Sequence, residues 1–123
     1  MLEEGRVSIS LENGIGTVTF FHPQSNSLPG KLLRKLAAAL EEAGANDAAR
    51  VIVLQSEGEK TFCAGASFDE LASIQDLEEG RRFFSGFAAV INAIRKAPKF
   101  VLARVQGKAV GGGIGLASHA AAM

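Results

Sequence analysis

The sequence has no Trp, no Tyr and a single Cys among its 123 residues, and its 13 basic and 13 acidic side chains give a formal net charge of +0. One cysteine, Cys63, excludes a disulfide within the chain. The charge balance argues against nucleic acid or an anionic membrane surface as a partner. No apolar run approaches the roughly 18 to 20 residues of a membrane span. The charged N-terminus also lacks the apolar region of a signal peptide. We therefore expect a soluble, cytoplasmic protein with no membrane or nucleic-acid partner.

An N-terminal β-hairpin is predicted by two short patterns. Residues 7–11 alternate apolar and polar side chains, which is typical of a half-buried strand. Asn13-Gly14 is a strong signal for a two-residue hairpin turn. The β-branched and aromatic run at 15–21 follows this turn and supplies the second strand.

Helices and strands alternate after the hairpin. Leucines at helical spacing predict a helix from Pro29 to about Ala45, and a stripe rich in Phe predicts another over residues 77–96. Apolar runs at 51–54 and 100–105 indicate buried strands, and we expect the first to be covered on both faces. A last helix is predicted at 114–121. The order indicates an α/β fold with parallel strands, and the eight Phe residues are expected in its core.

Two segments that contain glycine are candidates for chemistry, because each follows a strand and leads into a helix. They are residues 63–66 (Cys-Ala-Gly-Ala) and 110–113 (Val-Gly-Gly-Gly). Ligands of open α/β sheets bind at the carboxyl ends of strands, where free backbone N–H groups favour a developing negative charge. Two such groups aimed at one point would form an oxyanion hole, suited to an enolate formed from a thioester. The alternative, that both segments are tight turns using glycine only for its φ, stays open at this stage.

A dinucleotide-binding loop is a second alternative for the glycines near the C-terminus. Gly111, Gly113 and Gly115 follow a strand and open a helix, as in the Rossmann phosphate loop. The spacing of the third small residue departs from that fingerprint. The sequence also ends before the acidic residue expected about twenty positions later. We therefore disfavour this interpretation.

Three motifs together resemble the crotonase superfamily, the enoyl-CoA hydratases and isomerases. Residues 62–68 (FCAGASF) are similar to its first loop, F-x-A-G-A-D-[IL], and residues 105–113 (VQGKAVGGG) to its second loop, N-G-x-A-x-G-G-G. Residues 22–28 (HPQSNSL) resemble the R-P-x-x-x-N-A-L segment that opens the first long helix. The order and spacing of the motifs imply a crotonase-like spiral ββα core. They also imply that residues 1–123 are the N-terminal part of a single domain whose C-terminal half is absent from this chain.

The resemblance also implies roles for particular residues. The oxyanion hole would be formed by the backbone N–H groups of Ala66 and Gly112. Acyl-CoA would lie along a set of largely backbone contacts at Gln24, Ser25, Ala64, Ala66, Ser67, Phe68 and Gly112. Coenzyme A would enter as part of the substrate, with no separate cofactor and no metal. The family further implies fatty-acid metabolism and a homotrimer or hexamer for the full-length protein.

Several positions depart from the family pattern. Gly115 stands where the hydratases carry their first catalytic Glu, and the second Glu would lie beyond Met123. Two-carboxylate hydration is therefore not expected, since glycine cannot transfer a proton. Ser67 replaces the Asp of the first loop, and we interpret the nearby acids Asp69 and Glu70 as a solvated helix start. Cys63 is interpreted as a small packed residue and not as a nucleophile.

Other side chains have structural interpretations. Phe68, Leu71 and Ile74 are candidates to line an acyl pocket, as the corresponding family segment does. His22 and His119 have no metal-ligand spacing, and a buried or capped structural role is predicted for His119 on its helix.

Two hypotheses follow. The first is an acyl-CoA enzyme, of the lyase or isomerase class, that stabilises an enolate in a backbone oxyanion hole. The second is an acyl-CoA binder, or a truncated and inactive crotonase-like fragment, which keeps the loops but lacks an acid or base.

Overall fold

The predicted N-terminal hairpin is confirmed. In the computed structural model, which describes residues 5–122, β1 (Arg6–Glu12) and β2 (Ile15–Phe21) pair in antiparallel orientation. Asn13 and Gly14 have φ of 53° and 81°, the left-handed pair that a two-residue hairpin turn requires. The prediction about a signal peptide rests partly on residues 1–4, which lie outside the described residues.

β1 is more exposed than its alternating pattern predicts. Ile9 and Leu11 remain 39% and 44% exposed, while Val7 packs partly against the core. The expectation of a half-buried strand was therefore wrong for most of β1. The physical reason is its position, since it forms an edge of the sheet.

Residues 30–122 add four helices and five strands. In chain order they are α1 (Gly30–Ala45), β3 (Val51–Ser56), β4 (Thr61–Cys63), α2 (Phe68–Ser73), α3 (Leu77–Lys96), β5 (Val101–Ala103), β6 (Lys108–Ala109), α4 (Gly112–His119) and β7 (Ala121–Ala122). A five-stranded sheet runs in the order β1-β2-β3-β5-β7, parallel except for the hairpin. β4 and β6 form a separate parallel pair. The α/β fold class is confirmed.

The main core lies between the sheet and α1. Val18 and Phe20 on β2 and Ile52 and Leu54 on β3 are fully buried, together with the leucine stripe of α1. β3 alternates between buried and half-buried residues, so the prediction that both of its faces are covered was wrong. A wholly apolar run does not by itself indicate two covered faces.

The second predicted helix is confirmed as α3, which packs against α1 through Phe83, Phe87 and Val90. The expectation that all Phe residues lie in the core was wrong. Phe68, Phe84 and Phe100 are 82%, 53% and 79% exposed. Composition alone could not separate these three from the buried ones.

Local structure near the glycine loops was only partly predicted. The short strands β4, β6 and β7 were not foreseen, and the strand expected at 100–105 is reduced to β5. The helix start expected at Asp69 and Glu70 is present as α2. The last helix begins at Gly112, two residues before the predicted start, and ends at His119. The triple glycine therefore lies inside the first turn of α4 and not only in the loop before it. No helix within residues 5–122 combines the length and apolar character needed to cross a membrane.

Candidate functional site

The two glycine loops lie side by side because β4 and β6 are parallel neighbours. Parallel strands end at the same edge of a sheet, and Cys63 pairs with Ala109 at this edge. The Val110 N–H donates to the Cys63 carbonyl oxygen at 3.0 Å. The segments singled out in the sequence, 63–66 and 110–113, are thus brought together by the fold.

Gly65 is the point of closest approach between the loops. Its φ is +87°, and a Cβ placed there would lie 2.9 Å from the Val110 carbonyl oxygen and 3.2 Å from the Gly112 nitrogen. Any side chain at this position would push the second loop away. Glycine is therefore required both by the backbone conformation and by the neighbouring loop, and it brings the first loop up to the start of α4.

The N–H groups of Ala66 and Gly112 are available at this junction. Ala66 forms an isolated parallel bridge with Leu28, but the Ala66 N–H is not its donor: the Leu28 N–H donates to the Gly65 carbonyl oxygen at 2.8 Å. Gly112 is the first residue of α4, where helix N–H groups have no partner within the helix. Among the turn, loop and cap hydrogen bonds of residues 5–122, neither Ala66 nor Gly112 donates to another backbone group.

Close packing around the first turn of α4 explains why two of its residues are glycines. A Cβ on Gly112 would lie 2.4 Å from Cε1 of Phe87, and one on Gly113 would lie 2.5 Å from the carbonyl oxygen of Cys63. A Cβ on Gly115 would meet only the end of Ile91, at 3.4 Å. Packing therefore demands small residues at 112 and 113 but leaves room for a side chain at 115.

This contrast gives a matched test of stability. We expect Gly113→Ala to lower the free energy of unfolding by about 1–3 kcal/mol, because the methyl group would press on the Cys63 backbone. Gly115→Ala should be neutral or stabilising by up to about 1 kcal/mol, since alanine is the better helix former. Urea denaturation of both variants measures the difference. Equal destabilisation of the two would contradict the packing described for α4.

Cys63 is a packed thiol, as expected. Its side chain is fully buried, and burial raises the pKa of the thiol from 9.0 to about 11, opposed in part by the Gly65 N–H that donates to Sγ at 3.4 Å. The group is therefore protonated at neutral pH and a poor nucleophile. Within residues 5–122 no group of three or more His, Cys, Asp or Glu side chains is placed to hold a metal ion.

A cleft of about 540 Å³ adjoins the first loop. Of the residues expected to contact coenzyme A, Gln24 and Ser67 line it, whereas Ser25 lines a different depression and Phe68 points to solvent. Ala64, Ala66 and Gly112 do not line it, although Ser67 directly follows Ala66 in the chain. Neither Leu71 nor Ile74, the other candidates for an acyl pocket, lines this cleft.

Three cations of α1 line the same cleft and were not predicted as site residues. Lys31, Arg34 and Lys35 are exposed, and their i, i+3, i+4 spacing puts them on one face of the helix. None of the three forms an ion pair with another of the described residues 5–122. The spacing was visible in the sequence as a possible signal, but only the fold shows that this face borders the first loop.

The acids after Ser67 are more than a solvated helix start. Ser67 caps α2 by accepting the Glu70 N–H at 3.3 Å. The Glu70 carboxylate accepts the Gly30 N–H at 2.8 Å, and Asp69 accepts from the Gln24 side chain at 3.3 Å. The interpretation of Asp69 and Glu70 as a helix start is confirmed, since both lie in the first turn of α2. The two side chains also connect α2 to Gln24 and to the first residue of α1.

His119 lies on the last turn of α4. Its Nδ1 is 2.7 Å from the Gly115 carbonyl oxygen, and the side chain is exposed. The prediction of a buried role for His119 was therefore wrong, and its ring instead contacts a carbonyl oxygen in the last turns of its own helix.

The fold and the loops define a class: an α/β protein in which two glycine loops at parallel strand ends meet, with a cleft lined by basic and acidic side chains next to the first loop. The chain belongs to the enoyl-CoA hydratase/isomerase family, whose sequence profile matches residues 10–122. This confirms the resemblance to the crotonase superfamily that the three motifs indicated.

Named relatives agree with this assignment. The chain is 36% identical over 116 residues to the (7aS)-7a-methyl-1,5-dioxo-2,3,5,6,7,7a-hexahydro-1H-indene-carboxyl-CoA hydrolase of Mycobacterium tuberculosis, covering 91% of this chain and 45% of that protein. It is 39% identical over 92 residues to the mitochondrial methylglutaconyl-CoA hydratase of Rattus norvegicus, covering 75% of this chain and 29% of that protein. It is also 37% identical over 101 residues to the small ribosomal subunit protein mS47 of Neurospora crassa, covering 77% of this chain and 20% of that protein.

Solved structures show the same fold. The enoyl-CoA hydratase of Bacillus anthracis superposes with a TM-score of 0.86 at 29% identity, over 93% of this chain and 45% of that one. The chain therefore spans less than half the length of each relative named here.

Proposed function

We propose that this chain binds the thioester carbonyl of an acyl-CoA between the N–H groups of Ala66 and Gly112. The observation that carries the proposal is the apposition of two glycine loops whose N–H groups have no backbone acceptor at their junction. Membership of the enoyl-CoA hydratase/isomerase family supports the same ligand class.

The chemistry supplied by such a pair is stabilisation of an enolate. When a base removes the α-proton of a thioester, the electrons of the C–H bond form a C=C bond and negative charge moves to the carbonyl oxygen. Two fixed N–H donors stabilise that oxygen without reorganising, and one such donor is worth about 10²–10³ in rate. The Gly112 N–H also belongs to a helix N-terminus, where the helix dipole favours negative charge.

Coenzyme A would then occupy the cleft beside the first loop. Its phosphates are anionic, and Lys31, Arg34 and Lys35 line the cleft together with the acids Asp69 and Glu70. None of the three cations forms an ion pair with another of residues 5–122. A phosphate near these side chains would form charge-assisted hydrogen bonds. Ser67 lines the cleft and directly follows Ala66 in the chain, and we propose that one extended ligand reaches both.

The glycine at position 115 bears on the reaction. A hydratase adds water across a C=C bond with carboxylates that deliver and accept protons, and Gly115 has no such group. We propose a reaction that needs the enolate but not this carboxylate, such as isomerisation or another one-base step. The acid or base would come from another position of the full-length protein.

A non-catalytic acyl-CoA binder is the second candidate function. It is favoured by the same Gly115, because the loops can hold a thioester without any group that moves a proton. The relative of Neurospora crassa, which is named as a ribosomal protein, supports the idea that this sequence pattern also occurs outside enzymes.

One experiment separates the two functions. The full-length protein is screened against acyl-CoA thioesters of different chain length, and each bound thioester is then incubated in deuterated water. We expect micromolar binding of at least one thioester and exchange of its α-proton for deuterium. NMR or mass spectrometry of the thioester measures this exchange. Binding without exchange would leave the non-catalytic function, and no binding of any thioester would overturn both.

The remaining family properties stay predictions. They are a homotrimer or hexamer for the full-length protein, a cytoplasmic location and a place in fatty-acid metabolism.

A further inference from the structure

Glu70 joins the first glycine loop to the start of α1. Its Oε2 accepts the Gly30 N–H at 2.8 Å, although the two residues are forty positions apart. Gly30 is buried, and a Cβ on it would lie 2.9 Å from Glu70 Oε1. The glycine therefore admits the carboxylate to the first turn of the helix.

α1 depends on this contact for its N-terminal cap. Its N-cap residue, Pro29, makes no side-chain cap hydrogen bond, and its first turn contains no acidic residue. A carboxylate from outside the helix thus satisfies a free N–H group and places negative charge at the positive end of the helix dipole. Because the acceptor is ionised, this hydrogen bond is stronger than a neutral one.

The same residue restrains the loop that carries Ala66. The Glu70 N–H donates at 3.3 Å to the side chain of Ser67, which is the N-cap of α2 and directly follows Ala66. On the other side of Ala66, the Gly65 carbonyl accepts the Leu28 N–H at 2.8 Å. Ala66 therefore lies between two attachments to the segment 28–30, one at Leu28 and one at Gly30.

We propose that Glu70 is a positioning residue that holds the Ala66 N–H in place by fixing α2 to the start of α1. Glu70 also lines the cleft proposed for coenzyme A, and in this proposal its effect on the thioester carbonyl passes through the backbone of residues 65–67. The consequence for catalysis rests on the proposed function, whereas the restraint on the loop does not.

Three substitutions test the restraint. Glu70→Met keeps the length of the side chain but cannot accept the Gly30 N–H, Glu70→Ala removes the side chain, and Glu70→Gln keeps an acceptor oxygen. We expect amide hydrogen exchange at Leu28 to accelerate about tenfold or more in the Met and Ala variants, as the loop opens locally. The Gln variant should stay within about threefold of the wild type. Glu78→Ala, which removes an exposed acid on α3 that pairs with Arg81, is the control for loss of charge.

Enzyme kinetics test whether the restraint by Glu70 affects catalysis. With a thioester that the wild type exchanges, Glu70→Met should lower kcat by about 10- to 100-fold, because a small misplacement of a donor has an effect of this size. KM should change little, and Glu70→Gln should restore most of the rate. A purely structural role would instead lower the fraction of folded protein and would leave kcat per folded molecule unchanged.

The outcomes of the two tests are distinguishable. If Leu28 exchanges at the wild-type rate in Glu70→Met, the positioning role is overturned whatever the activity. If the wild type itself exchanges no thioester α-proton, the proposed function fails, and amide exchange alone then decides whether Glu70 restrains the loop. Should Glu70→Ala fail to fold, the Met and Gln pair carries the comparison.

Discussion

Replacing Gly112 by Pro is expected to slow exchange of the α-proton of a bound acyl-CoA by about 10²–10³-fold. Proline has no N–H, so the variant removes the donor proposed at this position. Gly112 is the first residue of α4, a position at which helices accept proline well. The change should therefore remove one hydrogen bond to the substrate with little effect on the helix itself.

The contact with Phe87 calls for a matched control. Any Cβ at position 112 would lie 2.4 Å from Cε1 of the Phe87 ring, so the ring must shift in the variant. Gly112→Ala carries the same Cβ but keeps the N–H, and both changes can be made in a Phe87→Leu background that removes the ring. The account requires the proline variant to exchange at least tenfold more slowly than the alanine variant. Equal rates would show that the Gly112 N–H does no chemistry.

Replacing Gly115 by Glu is expected to add hydration of a short enoyl-CoA to the activities of the protein. Position 115 has room for a side chain, since a Cβ would approach only Ile91 Cδ1, at 3.4 Å. The family resemblance places the first carboxylate of the hydratases here. A positioned general acid or base contributes about 10²–10⁴ in rate, so we expect the rate of water addition to rise by about 10² or more.

Loss of the enoyl absorbance in the full-length protein measures this gain. Gly115→Gln is the matched control, because glutamine has the same size but cannot exchange a proton. A hydration rate that rises in the Glu variant and not in the Gln variant supports the assignment of position 115 as the place of the first hydratase carboxylate. The same rate in both variants would mean that position 115 does not face the reacting carbons.

The hairpin, α1 and α3 were predictable because each follows from a local pattern. Asn13-Gly14 determines the turn, and the Leu stripe of α1 and the Phe-rich stripe of α3 repeat at helical spacing. The two glycine loops were also visible, since glycine clusters after apolar runs mark strand ends. What the local pattern could not show was that β4 and β6 pair with each other, apart from the main sheet.

The features missed by sequence reasoning depend on contacts between distant residues. Glu70 and Gly30 are forty positions apart, so nothing local indicates that one caps the helix of the other. Lys31, Arg34 and Lys35 became candidates only when the fold placed their face of α1 beside the first loop. The exposure of Phe68 and Phe100 likewise depends on which faces the neighbouring elements cover.

The most direct test of the oxyanion hole is the infrared frequency of the thioester carbonyl in a bound, ¹³C-labelled acyl-CoA. Two fixed N–H donors polarise the C=O bond, so the account predicts a lower frequency in the complex than in water and a partial return toward the water value in Gly112→Pro. A bound thioester whose carbonyl frequency equals that in water, and does not change with Gly112→Pro, would contradict the proposal that Ala66 and Gly112 hold the carbonyl oxygen.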